Sequence, residues 1–132
     1  MSARRVLIAE DEEAILAALD FGVRGAGHEA RVARDGEQAL AALGAWRPEL
    51  VLLDVMLPRV SGLEVCAAIR ADAGLAGTKV LMISARGAPG DVARGLAAGA
   101  DGYVVKPFST RELLARMHAL LGAGMPARDP AP

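Results

Sequence analysis

The chain has 132 residues, 53% apolar and 23% charged, with a formal net charge of −1, which suits a single domain that removes about two thirds of its unfolded surface from water. Aromatic residues make up only 3%, so the core must be built from Val, Leu, Ile, Ala and Met, and beyond Arg4 and Arg5 no basic run offers the footprint of a nucleic-acid or membrane-surface binder. The lone Cys66 excludes an internal disulfide, the apolar run before the first acids is too short for a signal peptide, and none approaches the roughly 20 residues that span a bilayer, so a cytoplasmic protein is expected.

The first apolar run, Val6 to Ala9, is followed by three acids and then by helical spacing over 12–25, with Gly25 and Gly27 placed to end it. The second run, Ala30 to Ala33, alternates more than the first and reads as an edge strand. Asp35 and Gln38 have capping spacing ahead of a helix over 36–46. Leu50 to Leu53 is apolar throughout, as a strand covered on both faces requires, and Ser61 with Glu64 opens a helix over 62–71. Gly74 and Gly77 precede a fourth apolar run, Val80 to Ile83, and a helix over 90–98 ends at Gly99. Tyr103 to Val105 is the fifth strand, and Ser109 with Glu112 caps a helix over 110–121. Residues 1–121 are expected to form the domain, with 122–132, GAGMPARDPAP, a flexible tail or the start of a linker.

Five repeats of strand then helix, joined by right-handed crossovers, predict an α/β domain with a doubly wound five-stranded parallel sheet. Ligands of such sheets sit beyond the carboxyl ends of the strands. Those ends carry Glu10 and Asp11 after the first, Asp54 at the third, Ser84 at the fourth and Lys106 at the fifth. Three carboxylates held close repel by roughly 3 kcal/mol per pair at 5 Å in an effective dielectric of 20, so such a cluster calls for a cation. Oxygen ligands without His or Cys favour Mg2+ over Zn2+. Lys106 could neutralise phosphoryl oxygens, and the Ser84 hydroxyl could hydrogen-bond another.

The motifs IAEDE, LLDVMLPRVSG, MISA and VVKPF stand at the four strand ends where response-regulator receivers carry an acidic pair, a phosphoacceptor Asp, Ser or Thr followed by Ala, and Lys-Pro. Over residues 4–121 the chain resembles that family of two-component signal transduction. The resemblance implies a flavodoxin-like (βα)5 fold of strand order 2-1-3-4-5, in which Asp54 accepts phosphate from a histidine kinase or phosphotransfer protein. It implies that Asp11, Asp54 and the Met56 carbonyl bind Mg2+ directly and Glu10 through water, with Lys106 and Ser84 assisting the chemistry. Ser84 and Tyr103 match the family's switch pair, which remodels the surface of the fourth and fifth strand-helix units, and the Lys106–Pro107 peptide is implied to be cis. Such a protein is a signalling switch that catalyses only its own phosphorylation and dephosphorylation. At the positions that tune hydrolysis in the family, Met56 and Arg86 cannot position water, which implies a long-lived phosphorylated form.

Glu12 reads as an acid favouring the first turn of the helix through its dipole. The run from Gly99 to Met117 resembles the winged-helix class of DNA-binding regulators, whose active receivers dimerise through this face; Glu112 and Arg116 match, whereas Val92, Gly102 and Ala119 replace charged positions. The unphosphorylated protein is expected to be a monomer, and a stand-alone receiver or one cut from a larger DNA-binding regulator or hybrid kinase fits the sequence equally well. A Mg2+-dependent phosphohydrolase would need its Asp-x-Asp motif after the first strand and a substrate cap, and an FMN carrier would not place EDE beside a phosphate.

Overall fold

The computed structural model describes residues 3–123. Strands β1 (Arg5–Ala9), β2 (Glu29–Ala33), β3 (Leu50–Asp54), β4 (Lys79–Ser84) and β5 (Gly102–Val105) alternate with helices α1 (Glu13–Gly25), α2 (Gly36–Trp46), α3 (Gly62–Ala71), α4 (Pro89–Ala97) and α5 (Thr110–Ala123). All pairings are parallel and the strand order is β2-β1-β3-β4-β5, as expected from the motifs. The edge position of β2 explains its mixed pattern, in which Ala30 and Ala33 are buried and the other three residues exposed.

Alternate residues of the central strands feed two cores. Leu7, Val51, Leu53, Val80 and Met82 pack against Ala39 and Leu43 of α2 and Val65, Cys66 and Ile69 of α3. Ile8, Leu50, Leu52, Leu81 and Ile83 meet Leu16, Leu19 and Val23 of α1 and Leu113 and Met117 of α5. Strands apolar at every position are therefore those buried on both faces, and each fully buried Leu or Ile contributes about 1.5–3 kcal/mol. Leu52→Ala at the sheet centre would cost about 3 kcal/mol and loosen the α1/α5 layer first.

The helix starts form as the spacing predicts, with one change of partner. Asp35 accepts from the Gln38 N–H, Ser61 and Glu64 form a reciprocal capping box, and the Ser109 hydroxyl accepts from the Glu112 N–H. Gln38, however, reaches one residue past the cap and accepts from the Arg34 N–H at 2.8 Å. Gly27 and Gly99 adopt positive φ, at 92° and 111°, but α2 ends on a left-handed Arg47 instead of a glycine. A short 3-10 turn, Ala73–Leu75, which the sequence reading missed, lies between α3 and β4. α5 continues two residues beyond the expected 121; the rest of the predicted tail, 124–132, lies outside the described residues. Among the described residues no helix is long and apolar enough to cross a membrane.

Candidate functional site

The carboxyl ends of β1, β3 and β5 bring three loops together. The Glu10 N–H extends the ladder by donating to the Ala33 carbonyl (3.0 Å), so the side chain that follows the apolar strand is carried under the loop and is fully buried. Asp54 closes β3, is 3% exposed, and accepts from the Met56 N–H through Oδ1 at 3.0 Å. α3 starts directly beneath it: a Cβ on Gly62 would collide with the Asp54 carbonyl oxygen, so only glycine allows this approach. Across the sheet the Lys106 N–H donates to the Ser84 carbonyl (2.8 Å), and the Lys106–Pro107 peptide is cis.

The Lys106 ammonium lies 2.6 Å from Glu12 Oε1, 3.2 Å from Glu10 Oε1 and 3.3 Å from Asp54 Oδ2. Oxygens of Glu10, Glu12 and Asp54 all fall within 4.8 Å of one another. Three carboxylates around one ammonium leave a negative surplus, and burial, with that charge beside it, pushes the Glu10 pKa up to about 7. Burial is the main cause and the Asp54 charge adds to it, against the Glu12 N–H and the Lys106 charge. Burial also works against the Lys106 charge, but the Glu12 hydrogen bond and the charges of Asp54 and Glu10 outweigh it and hold the ammonium above its ordinary range.

Glu10 Oε1 is buried with no hydrogen-bond partner; it lies within ion-pair distance of Lys106, yet only Oε2 receives the hydrogen bond. An orphaned buried carboxylate oxygen in an all-oxygen donor set fits a hard divalent cation, and without one it costs about 1–3 kcal/mol.

Asp11, the implied direct ligand, is exposed and is not among the gathered carboxylates. Glu12 stands there instead. The sequence offered no way to tell which of three consecutive acids would turn inward, because the loop between β1 and α1 has no apolar residue to set its phase.

Ser84 is fully buried and its Oγ accepts from the Arg86 N–H at 3.0 Å. Tyr103 is 9% exposed, packs beside Met82 and Gly95, and donates its hydroxyl to the Arg86 carbonyl at 2.7 Å. The backbone of Arg86 is thus held on both sides by the expected switch pair. Met56 projects outward, 53% exposed. Beside the site a groove of about 530 Å3 runs between α1 and the loop into α5, with Glu12, Ile15, Lys106 and Phe108 in its walls.

Known proteins place this arrangement. The family model described as response regulator receiver domain matches residues 6–118. "DNA-binding response regulator MtrA" of Mycolicibacterium smegmatis is 43% identical over 118 residues, 89% of this chain and 50% of that protein. "Sensory transduction protein RegX3" of Mycobacterium tuberculosis is 46% identical over 119 residues, 90% of this chain and 51% of that one. A crystal structure of a putative response regulator from Chloroflexus aurantiacus superposes with a TM-score of 0.86 at 32% identity, covering 91% of this chain and 98% of the other. The chain spans about half the length of the curated relatives it matches. With the strand order, the strand-end residues and these matches in agreement, the chain belongs to the receiver domain family of two-component response regulators.

Proposed function

We propose that the domain is a phosphorylation switch acting at Asp54, and the observation that carries this is the buried Asp54 carboxylate facing the Lys106 ammonium at 3.3 Å beside an orphaned Glu10 oxygen. In the proposed step an Asp54 oxygen attacks the phosphorus of a phosphohistidine. The O–P bond forms as the P–N bond breaks, and the departing imidazole takes up a proton. Lys106 balances charge on the phosphoryl oxygens and the Ser84 hydroxyl, once released from the Arg86 N–H, donates to another. Glu10 and Asp54 would hold Mg2+, with Asp11 and the Met56 carbonyl added on the family resemblance alone. When bound, Mg2+ supplies charge neutralisation between the carboxylates and the phosphoryl group. Because Ser84 and Tyr103 both hold Arg86, moving either hydroxyl alters the β4–α4 loop, and this is the proposed route to the α4–β5 surface that an output would read.

The proposed donor is a histidine kinase or phosphotransfer protein in the cytoplasm. A second reading, that the domain is the receiver part of a longer DNA-binding regulator, is favoured by its likeness to the DNA-binding response regulator MtrA, of which it matches half the length. Phosphorylation-linked dimerisation lacks support at Val92, Gly102 and Ala119, and Arg116 is turned toward the Tyr103 carbonyl (3.3 Å). Met56 and Arg86, whose side chain is exposed, support a phosphoryl lifetime well beyond seconds in Mg2+.

Beryllofluoride with Mg2+, which mimics the aspartyl phosphate, tests the reading. Spectral changes are expected in wild type and absent in Asp54→Ala, with sedimentation reporting the oligomeric state, and acetyl phosphate should add one phosphoryl group at Asp54 by mass spectrometry. An unmodified Asp54 would end the proposal.

A further inference from the structure

Lys106 makes its shortest contact with Glu12, which the family resemblance gives no role. An ammonium has three N–H donors, and here three carboxylates accept them: Glu12 Oε1 at 2.6 Å, Glu10 Oε2 at 3.3 Å and Asp54 Oδ2 at 3.3 Å. Of these, Glu10 is fully buried and Asp54 nearly so, whereas the Glu12 side chain is 60% exposed. Glu12 is therefore the carboxylate that can leave for water at least cost.

The local structure shows that the contact is not incidental to helix formation. Glu12 occupies the N-cap of α1, with φ −81° and ψ 113°, yet its side chain makes no capping hydrogen bond. Residues usual at that position accept from the first-turn amides and stabilise the helix start. Glu12 leaves those amides uncapped and reaches across to the β5–α5 loop instead. Its own N–H donates to Glu10 Oε2 at 3.0 Å, which fixes its backbone against the buried acid. The side chain is thus anchored at its base and held at its exposed tip by Lys106.

We infer that Glu12 is a positioning residue that occupies one N–H donor of the Lys106 ammonium in the unphosphorylated domain, and that its release sets how fast Asp54 takes up a phosphoryl group. The inference rests on the Asp54 reading. A phosphoryl oxygen arriving at Asp54 needs one of the three N–H donors; Glu12, nearest and most exposed, is the partner exchanged for it. Glu12 then acts as a brake that the reaction itself removes.

The test measures two things on wild type, Glu12→Gln and Glu12→Asp at saturating Mg2+. The first is the rate of Asp54 phosphorylation by acetyl phosphate. The second is the NMR chemical shift of the Lys106 ε-methylene at neutral pH, assignable because the chain has only two lysines, Lys79 and Lys106. Glu12→Gln keeps the length without the charge and is expected to speed phosphorylation by about threefold to fivefold, the scale of a solvent-screened ion pair. It should also move the Lys106 ε-methylene resonances. Glu12→Asp keeps the charge at the helix start but loses the reach, and is expected to behave like Glu12→Gln. Unchanged rates, or a Glu12→Asp variant that matches wild type while Glu12→Gln is faster, would overturn the inference, the latter by assigning the effect to charge alone. A slower Glu12→Gln overturns it too, since Glu12 would then assist the reaction. If wild type takes no phosphoryl group at Asp54, the reading beneath it falls as well; a phosphorylated wild type with unaltered variants removes only the brake.

Discussion

At the amino-terminal edge of the sheet Arg70 donates to the carbonyls of Gly99 (2.9 Å) and Thr78 (2.8 Å) and to Asp101 (2.7 Å), whereas at the carboxyl edge the single ammonium of Lys106 is shared by three carboxylates. The same contrast runs along both edges. At the amino end Arg5 serves the carbonyls of Trp46 and Arg47, and the Thr78 hydroxyl donates to Pro48. At the carboxyl end Glu10 Oε1 has no hydrogen bond and its pKa stands near 7. One edge closes the fold by satisfying its polar groups. The other keeps like charges together, at a cost in stability, as the proposed cation and phosphoryl sites would require.

The largest expected effect lies at the satisfied edge. Arg70→Ala strips partners from two carbonyls and from Asp101, which also accepts from the Val80 N–H. A loss of about 3 kcal/mol in urea unfolding is expected, since charged hydrogen bonds are removed and acceptors stranded. A loss below about 1 kcal/mol would mean that this edge is no better satisfied than the other.

Next comes Glu10→Gln at the carboxyl edge, with the opposite sign. An unfolded glutamate ionises near 4.5 and Glu10 near 7, so between those values the folded protein holds more proton than the unfolded one. Stability therefore falls as pH rises from about 4.5 to 7, and the full cost applies above 7. The shift corresponds to no more than about 3 kcal/mol. Glu10→Gln should be more stable than wild type at pH 8, about equal at pH 4, and should flatten the slope between. Equal stability at pH 8 would show that Lys106 already offsets the burial of Glu10.

A smaller effect is expected from the ion. Mg2+ at ten times its Kd stabilises by about 1.4 kcal/mol, so millimolar MgCl2 at pH 8 should raise the unfolding midpoint of wild type. Asp54→Ala and Glu10→Gln should lose most of that response, and Arg70→Ala should retain it in full. If Arg70→Ala loses it too, the two edges are not independent.

These edges differ also in how far the sequence disclosed them. Strand identity could be read because VLIA, LVLL and VLMI are apolar at every position, which only a doubly covered parallel strand needs, whereas strand order came from the family resemblance. The convergence of Glu10, Asp54, Ser84 and Lys106 follows from topology, since parallel strands place all their carboxyl ends on one side. What could not be read depends on single-residue phase in loops. Glu12 rather than Asp11 meeting Lys106 turns on the dihedrals of an irregular segment, and Gln38 bonding to Arg34 instead of Asp35 shifts by one residue for the same reason. The arginine network of the amino edge was invisible because Arg70 and Asp101 lie 31 residues apart with no motif to link them.

The smallest effect returns to the amino edge, where a pH slope of the other sign is built in. His28 Nδ1 accepts from the Arg4 N–H at 3.1 Å, and its Nε2 lies 3.0 Å from Nε2 of His118 on α5. A ring whose Nδ1 accepts must carry its proton on Nε2, so His28 is the donor and His118 the acceptor, and adding a proton to either ring breaks the chain. Burial is the main reason that the His28 pKa is lowered, helped by the charges of His118 and Arg4 and opposed by Glu49. A base with a lowered folded pKa gives its full stability above the ordinary value of 6.5 and loses it as pH falls through the folded value. Acid therefore loosens the amino edge over the range in which it relieves Glu10. In NMR titrations the His28 midpoint should lie below that of a free histidine and rise toward it in His118→Gln, while the Glu10→Gln stability profile leaves it unmoved. A His28 midpoint that ignores His118→Gln would reduce the pair to a chance approach of two surface rings, and the acid response of this domain would then belong to the carboxyl edge alone.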